Sequence, residues 1–324
     1  MKHMSRLAWG LALVAIASAC ERQAPLSPSA APTAPSFSAS ASAPAEDPVL
    51  VKVRSINAEL LARGSDVAIE GIDYFTIGVG RPSIRIHQEG LRPVPGDPRR
   101  LADGDNITYL VRASHGVTAS GLSAAQTAGA IDAALSTWDG TSPLKKVTIL
   151  KRSETATDPD IFDGFFKGFG DPNETPGSAT PFQADIVEAG WRPRGFFEAA
   201  GGAGGGRGIL AFTVSFIFVG PHGVPTDING DHYFDTAFSE VYYNDNFGNA
   251  AGDRAGNPWG TNISLPGIDV QTVALHENGH ALGIGHFGPP PAAVMNPVYA
   301  GIRQSPFSTD LASMNAVWSS WPNP

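Results

Sequence analysis

HENGHALGIGH, residues 276–286, places three of the chain's eight histidines within eleven residues, with Glu277 and Gly283 among them. The apolar phase around it predicts a helix running through VQTVALHENGHALG (270–283), and Asp269 stands where the N-cap belongs. His276 and His280, four apart, lie one turn apart on one face and can grip the same ion. Glu277 is turned about 100° round the axis from His276. It is badly placed as a third ligand and well placed to reach a water on the ion's open side. Gly283 stands where a chain leaving a helix needs positive φ, and that turn returns His286 to the ion. Three neutral imidazoles with one position open make a catalytic zinc site, whereas closed structural sites recruit a fourth protein ligand. The alternative is a polar helix face carrying satisfied histidines. The full H-E-x-x-H-x-x-G-x-x-H spacing, with cap and apolar phase in place, favours metal.

The rest of the composition narrows the setting. The chain has 324 residues, 42% apolar and 16% charged, enough for one large domain or a domain with a smaller partner. A net charge of -9 with no run of Lys or Arg leaves no electrostatic footprint for nucleic acid or a polybasic membrane contact. Residues 1–20 read as an export signal: basic Lys2 and Arg6, an apolar run from Leu7 to Ala17, then Ala-Ser-Ala-Cys20. That ending resembles a bacterial lipobox, which makes Cys20 a lipidation site and the lipid the chain's only expected membrane contact. An ordinary cleaved signal with Cys20 incidental is the alternative. Residues 21–48, rich in Ala, Ser and Pro, read as a tether. The expected location is therefore exported, on the outer membrane or cell surface, and otherwise secreted. With one cysteine, no disulfide framework exists.

From Val49 onward the pattern is that of a folded chain. A helix over 55–64 and strands over 67–78 and 83–88 suggest that 49–103 is a small α+β unit ahead of a main domain at 104–324. In the main domain, 107–111, 146–152, 184–191 and 208–220 read as strands and 121–140 as an amphipathic helix. The phenylalanines of 158–177 read as tucking a long loop onto the core, with a substrate lip as the alternative. GGAGGGRG (201–208) reads as a mobile glycine loop; without a following GK[ST] it is no phosphate cradle.

His276-Glu277-x-x-His280-x-x-Gly283-x-x-His286 is similar to the zinc motif of metzincin proteases. AVMNPVY (293–299) resembles the Met-turn of the matrixins, the matrix-metalloproteinase family. VALHENGHALGIGHF resembles their active-site helix, SPFSTDLASMNAVW (305–318) their C-terminal helix, and GILAF (208–212) the edge strand along which substrate lies. TYLV and the helix ending at Trp138 are similar to the first strand and helix of that family, while 49–103 lies outside the likeness. The resemblance implies an α+β, zincin-like catalytic domain: a twisted mixed sheet, an active-site helix and a C-terminal helix. It also implies that Met295 floors the imidazoles, that Pro297 and Tyr299 wall the pocket for the side chain after the scissile bond, and that Leu210 and Ala211 bind an extended peptide through their backbone. Phe212 stands where the family carries a structural-zinc histidine, Phe287 replaces a small hydroxyl residue, and no propeptide cysteine exists.

One other stretch asks for a cation. In TDINGDHYFDTAFSE (226–240), Asp227, Asn229, Asp231 and Asp235 alternate as the oxygens of a calcium loop do, although His232 and Phe238 break the EF-hand pattern. Structural calcium is the expectation, with a solvated acidic turn, or a second zinc on His222 and His232, as alternatives. The expected function is a zinc endopeptidase acting on protein or peptide substrates, Glu277 serving as general base. A cell-wall peptide amidase and a silent zinc-bearing surface protein are the rivals.

Overall fold

Asp47 starts the first helix. Its carboxylate accepts the Val49 N–H at 2.8 Å and Pro48 lies in the first turn, so α1 (Pro48–Ala62) begins seven residues before the apolar spacing suggests. The structure, a computed structural model, describes residues 46–100, 104–155, 159–169 and 183–322. The signal segment, Cys20, most of the tether and residues 170–177 of the phenylalanine-rich loop lie outside the described residues.

Next comes β1 (Val67–Thr76), nine of whose ten residues are buried, and then the short β2 (Ile84–Arg85) and β3 (Leu91–Arg92). β4 (Ile107–Val111) leads to α2 (Ala124–Asp139), where Ser123 and Gln126 form a reciprocal capping box. β5 (Ile149–Lys151), β6 (Ile186–Arg192), α3 (Arg194–Gly201) and the single turn α4 (Gly205–Gly208) precede two long strands, β7 (Ile209–Phe218) and β8 (Phe234–Asn244). A two-stranded pair, β9 (Trp259–Gly260) and β10 (Ile268–Asp269), opens into α5 (Val270–Ala281), and α6 (Ser308–Trp318) closes the fold.

The sheet runs β2-β1-β7-β8-β6-β4-β5, with β3 paired to β8. β4, β5, β6 and β8 are mutually parallel, while β7 is antiparallel to both β8 and β1. This mixed sheet with its active-site and C-terminal helices is the α+β architecture expected. Apolar side chains fill both faces. Ile131, Leu135 and Trp138 of α2 meet Leu275 of α5 and Met314 of α6 on one face. Val53 and Leu60 of α1 meet Phe196, Phe197, Phe212 and Phe216 on the other, joined by Phe162 and Phe166 of the phenylalanine-rich loop, which do tuck onto the core.

Three expectations change. Residues 49–103 are not a unit ahead of the main domain: β1 pairs with β7 from Val67↔Phe218 to Thr76↔Ile209, and residues from Glu46 on cluster as one compact unit. A strand buried on both faces needs partners on both sides, which 49–103 alone does not provide. The glycine stretch at 201–208 is also no loose loop. Gly205 and Gly206 are buried, and Asn244 and Asn246 donate side-chain N–H groups to Gly206 O at 3.1 and 2.8 Å. Finally, β8 begins at Phe234, inside the stretch read as a cation loop.

Beneath α5, the β6 residue Glu188 accepts the Tyr243 hydroxyl at 2.7 Å and the Asn278 side-chain N–H at 2.6 Å. Complete burial pushes its pKa up to about 7. The unfolded carboxyl ionises near its model value of 4.5 while the folded one still holds its proton. Stability is therefore lost as pH rises from 4.5 to about 7 and stays lost above it. Glu188→Gln keeps the acceptor for Asn278 without the charge, sparing about 3 kcal/mol at pH 8. We expect the melting temperature of the variant, relative to wild type, to rise by about 5 °C between pH 5 and pH 8. A constant difference in thermal melts at the two pH values would refute this account.

Candidate metal centre

Asp269 caps α5, its carboxylate accepting the Thr272 N–H at 2.9 Å and the Thr272 hydroxyl at 2.6 Å. The helix stops where the sequence requires. Gly283 has φ +86, and a Cβ there would lie 2.9 Å from the Leu91 carbonyl oxygen. The Ile284 N–H reaches back to Gly279 O at 2.9 Å, closing the turn that carries the chain to His286.

The Nε2 atoms of His276, His280 and His286 form a triangle with sides of 3.1, 3.1 and 3.2 Å. The Nδ1–H of His276 donates to Val294 O and that of His280 to Ile284 O, both at 2.7 Å. These bonds fix the proton on Nδ1 and leave the Nε2 lone pairs converging. Burial holds all three imidazoles below their ordinary range, His286 at about 3, so they are neutral ligands at neutral pH. Three lone pairs at this spacing fit an ion bound at about 2.0–2.1 Å, the zinc–imidazole distance. Among the described residues this is the one group of three or more His, Cys, Asp or Glu side chains that can share a metal.

Glu277 is wholly buried. Thr213 of β7 donates its hydroxyl to Glu277 Oε2 at 2.6 Å, while Oε1 has no hydrogen-bond partner. Burial raises this carboxyl well above its usual range. Met295 is fully buried beside the helix. Gly279, between the two helical histidines, admits its sulfur, since a Cβ at that position would be 2.4 Å from Sδ. The turn bearing Met295 hangs on Asp310 of α6, which accepts the N–H groups of Val294, Met295 and Phe307 at 2.9, 3.1 and 2.8 Å.

Sequence reading missed the contribution of β1. Asp73, buried, accepts the Ser83 hydroxyl and an Arg85 N–H, both at 2.6 Å, and its Oδ2 lies 3.8 Å from His280 Nδ1. Ser83 Oγ in turn lies 3.5 Å from His286 Nδ1. The ring of Phe75 stacks on His276 with centroids 3.8 Å apart and planes within 8°. These residues carry no local motif, and they come from the segment outside the family resemblance.

Leu210 and Ala211 lie on β7, but β7 is not an edge strand. Its side away from β8 is covered by β1, with Phe75 opposite Ala211. Pro297 and Tyr299 flank the same stretch of β1 from the other side, through Thr76. The four residues therefore lie on either side of one stretch of β1.

The cation loop finds no support. Asp231 pairs with the buried Arg92, and Asp235 with Arg99 at 2.7 Å. Asp227 accepts the N–H groups of Gly230, Asp231 and His232, the local bonding of an acidic turn. With guanidinium groups already neutralising two of its carboxylates, the turn offers a cation little. The second zinc on His222 and His232 fares no better, since among the described residues neither belongs to a group of three or more side chains able to share a metal.

The family model described as Matrixin matches residues 215–319. The match takes in part of β7, all of β8, the three-histidine motif, the Met295 turn and α6, and it leaves β1 outside. No curated protein matches the chain.

Two substitutions separate the supports of this centre. Asp310→Ala strands three N–H groups and frees the Val294 carbonyl that orients His276. We expect a loss of about 3 kcal/mol or more and zinc affinity lowered about 10- to 100-fold. Met295→Leu conserves volume and is expected to cost under about 1.5 kcal/mol. Thermal melts and chelator competition on the full chain would check both; unchanged zinc affinity in Asp310→Ala would exclude its role behind His276.

Proposed function

With residues 215–319 matching the matrixin family as the premise, we propose that the chain is a zinc-dependent endopeptidase that hydrolyses extracellular or periplasmic proteins. The observation that carries this reading is the pairing of a three-imidazole site with a buried carboxylate one residue away on the same helix. His276, His280 and His286 would hold zinc, which supplies a Lewis acid for a peptide carbonyl and lowers the pKa of water toward about 7.

The remaining chemistry belongs to Glu277. At Oε1 it would take a proton from the attacking water and afterwards yield it to the leaving amine nitrogen. Thr213 holds Oε2 fixed, so the proton is exchanged at one oxygen. Met295 packs and takes no part in proton transfer. Leu210 and Ala211 on one side, and Pro297 and Tyr299 on the other, suit an extended peptide, which binds through its backbone. That slot favours a protein chain over a cell-wall peptide, and the intact Glu277 favours an enzyme over a silent binding protein. The basic and apolar leader ending at Cys20 supports export and a lipid anchor.

The experiment compares the zinc-loaded full chain with Glu277→Gln, each after limited proteolysis, on a quenched random-peptide library. We expect cleavage by the wild type and a fall in kcat/KM of at least about 10²-fold in the variant, with zinc content unchanged. Equal cleavage by both proteins would remove Glu277 from the mechanism. Absence of cleavage by either would count against the endopeptidase reading.

A further inference from the structure

Residues 73–77 lie where a bound peptide would have to lie. On one flank Phe75 is in register with Ala211, and the Ile77 N–H donates to Gly208 O at 2.8 Å. On the other flank the Thr76 N–H and hydroxyl both reach Pro297 O, at 3.2 and 2.9 Å, and the Tyr299 N–H donates to Thr76 O at 2.8 Å. The chain is thus antiparallel to β7 and bridges parallel to Val298. β2 covers only Gly71 and Ile72; beyond them β1 keeps its pairing to β7 on one side and meets the Pro297–Tyr299 segment on the other.

Side chains complete the picture. Phe75, 3% exposed, fills the space between His276 and Tyr299, whose ring meets it edge-on with centroids 5.9 Å apart. Asp73, held by Ser83 and Arg85, anchors the strand beside His280. Glu277 lies beneath it with no exposure to bulk water.

We propose that β1 stands in for the substrate: the chain is held latent by its own strand, and Phe75 occupies the pocket for the side chain that follows the scissile bond. The substrate class this marks is an extended protein segment with a large aromatic residue at that place. The inference rests on the endopeptidase reading above. The slot is filled through main-chain hydrogen bonds and one aromatic ring. The exit from the slot is accessible, since Val79 is 83% exposed.

The test uses the zinc-loaded full chain with a recognition site for a sequence-specific protease inserted between Val79 and Gly80. Its probe is a hydroxamate bearing a benzyl group, followed by calorimetry, with library cleavage measured in parallel. Intact chain is expected to bind the hydroxamate at least about 30-fold more weakly than nicked chain, as for a site open in only a few per cent of molecules. Phe75→Ala in uncut chain is expected to recover much of that affinity. Equal hydroxamate affinity in intact and nicked chain overturns the proposal. If the nick abolishes cooperative melting, uncut Phe75→Ala decides alone, and no gain in affinity there overturns it. Hydroxamate binding that appears on nicking without any peptide cleavage supports the sealed centre and defeats the endopeptidase reading instead. In the library, selection of Phe, Tyr or Trp after the scissile bond supports the pocket assignment; selection of small or charged residues there overturns it.

Discussion

Three imidazole nitrogens with their lone pairs aimed at one point repel each other unless a cation lies among them, and much of this fold holds them there. Each histidine is steadied from a different part of the chain: His276 by the Val294 carbonyl, His280 by that of Ile284, and His286 by Ser83. Trp138 and Trp318 donate indole N–H groups to the carbonyls of Leu275 and Leu282, pinning the helix at both ends of the motif. The convergence is thus a tertiary product of elements far apart in sequence.

The opposite face of the sheet depends on buried charge. Arg192 of β6 reaches Asp160 and Asp163, each at 2.7 Å, and Arg112 also pairs with Asp160. Glu240 of β8 accepts the Ile161 and Phe162 N–H groups at 2.6 and 3.0 Å. These contacts bind the segment around residues 159–169 to the strands, and Phe162 and Phe166 then pack against Phe196. Such pairs add little net stability over an apolar equivalent, yet losing one partner leaves a charge stranded in the core. Their role is to fix which segment lies against which strand.

The metal centre was legible because its information is local. Spacings of four and three residues, a cap at Asp269 and a turn glycine at Gly283 are all written within eighteen residues. Helix α2 was visible for the same reason, while α6 was expected only through the family resemblance. β1 was visible as a strand, but its neighbours were not, because pairing with β7 joins residues far apart in the chain. The acidic turn misled for a related reason. Alternating oxygens look alike whether they face a cation or backbone amides, and Arg92 and Arg99, which pair with two of these carboxylates, lie far earlier in the chain. Glu188 carried no local sign of being a buried acid under α5, and Asp73 none of lying beside a histidine ligand.

The long reach of β1 also sets the order in which the molecule assembles. Val67 pairs with Phe218, and Thr76 meets Pro297 and Tyr299. Contacts this distant close late and slowly, since the chain entropy of large loops must be overcome before they form. Meanwhile the strand that fills the slot is synthesised before either of the slot's walls. The cleft is therefore built around its occupant, which never has to enter it from solution. Folding and the sealing of the centre become a single event.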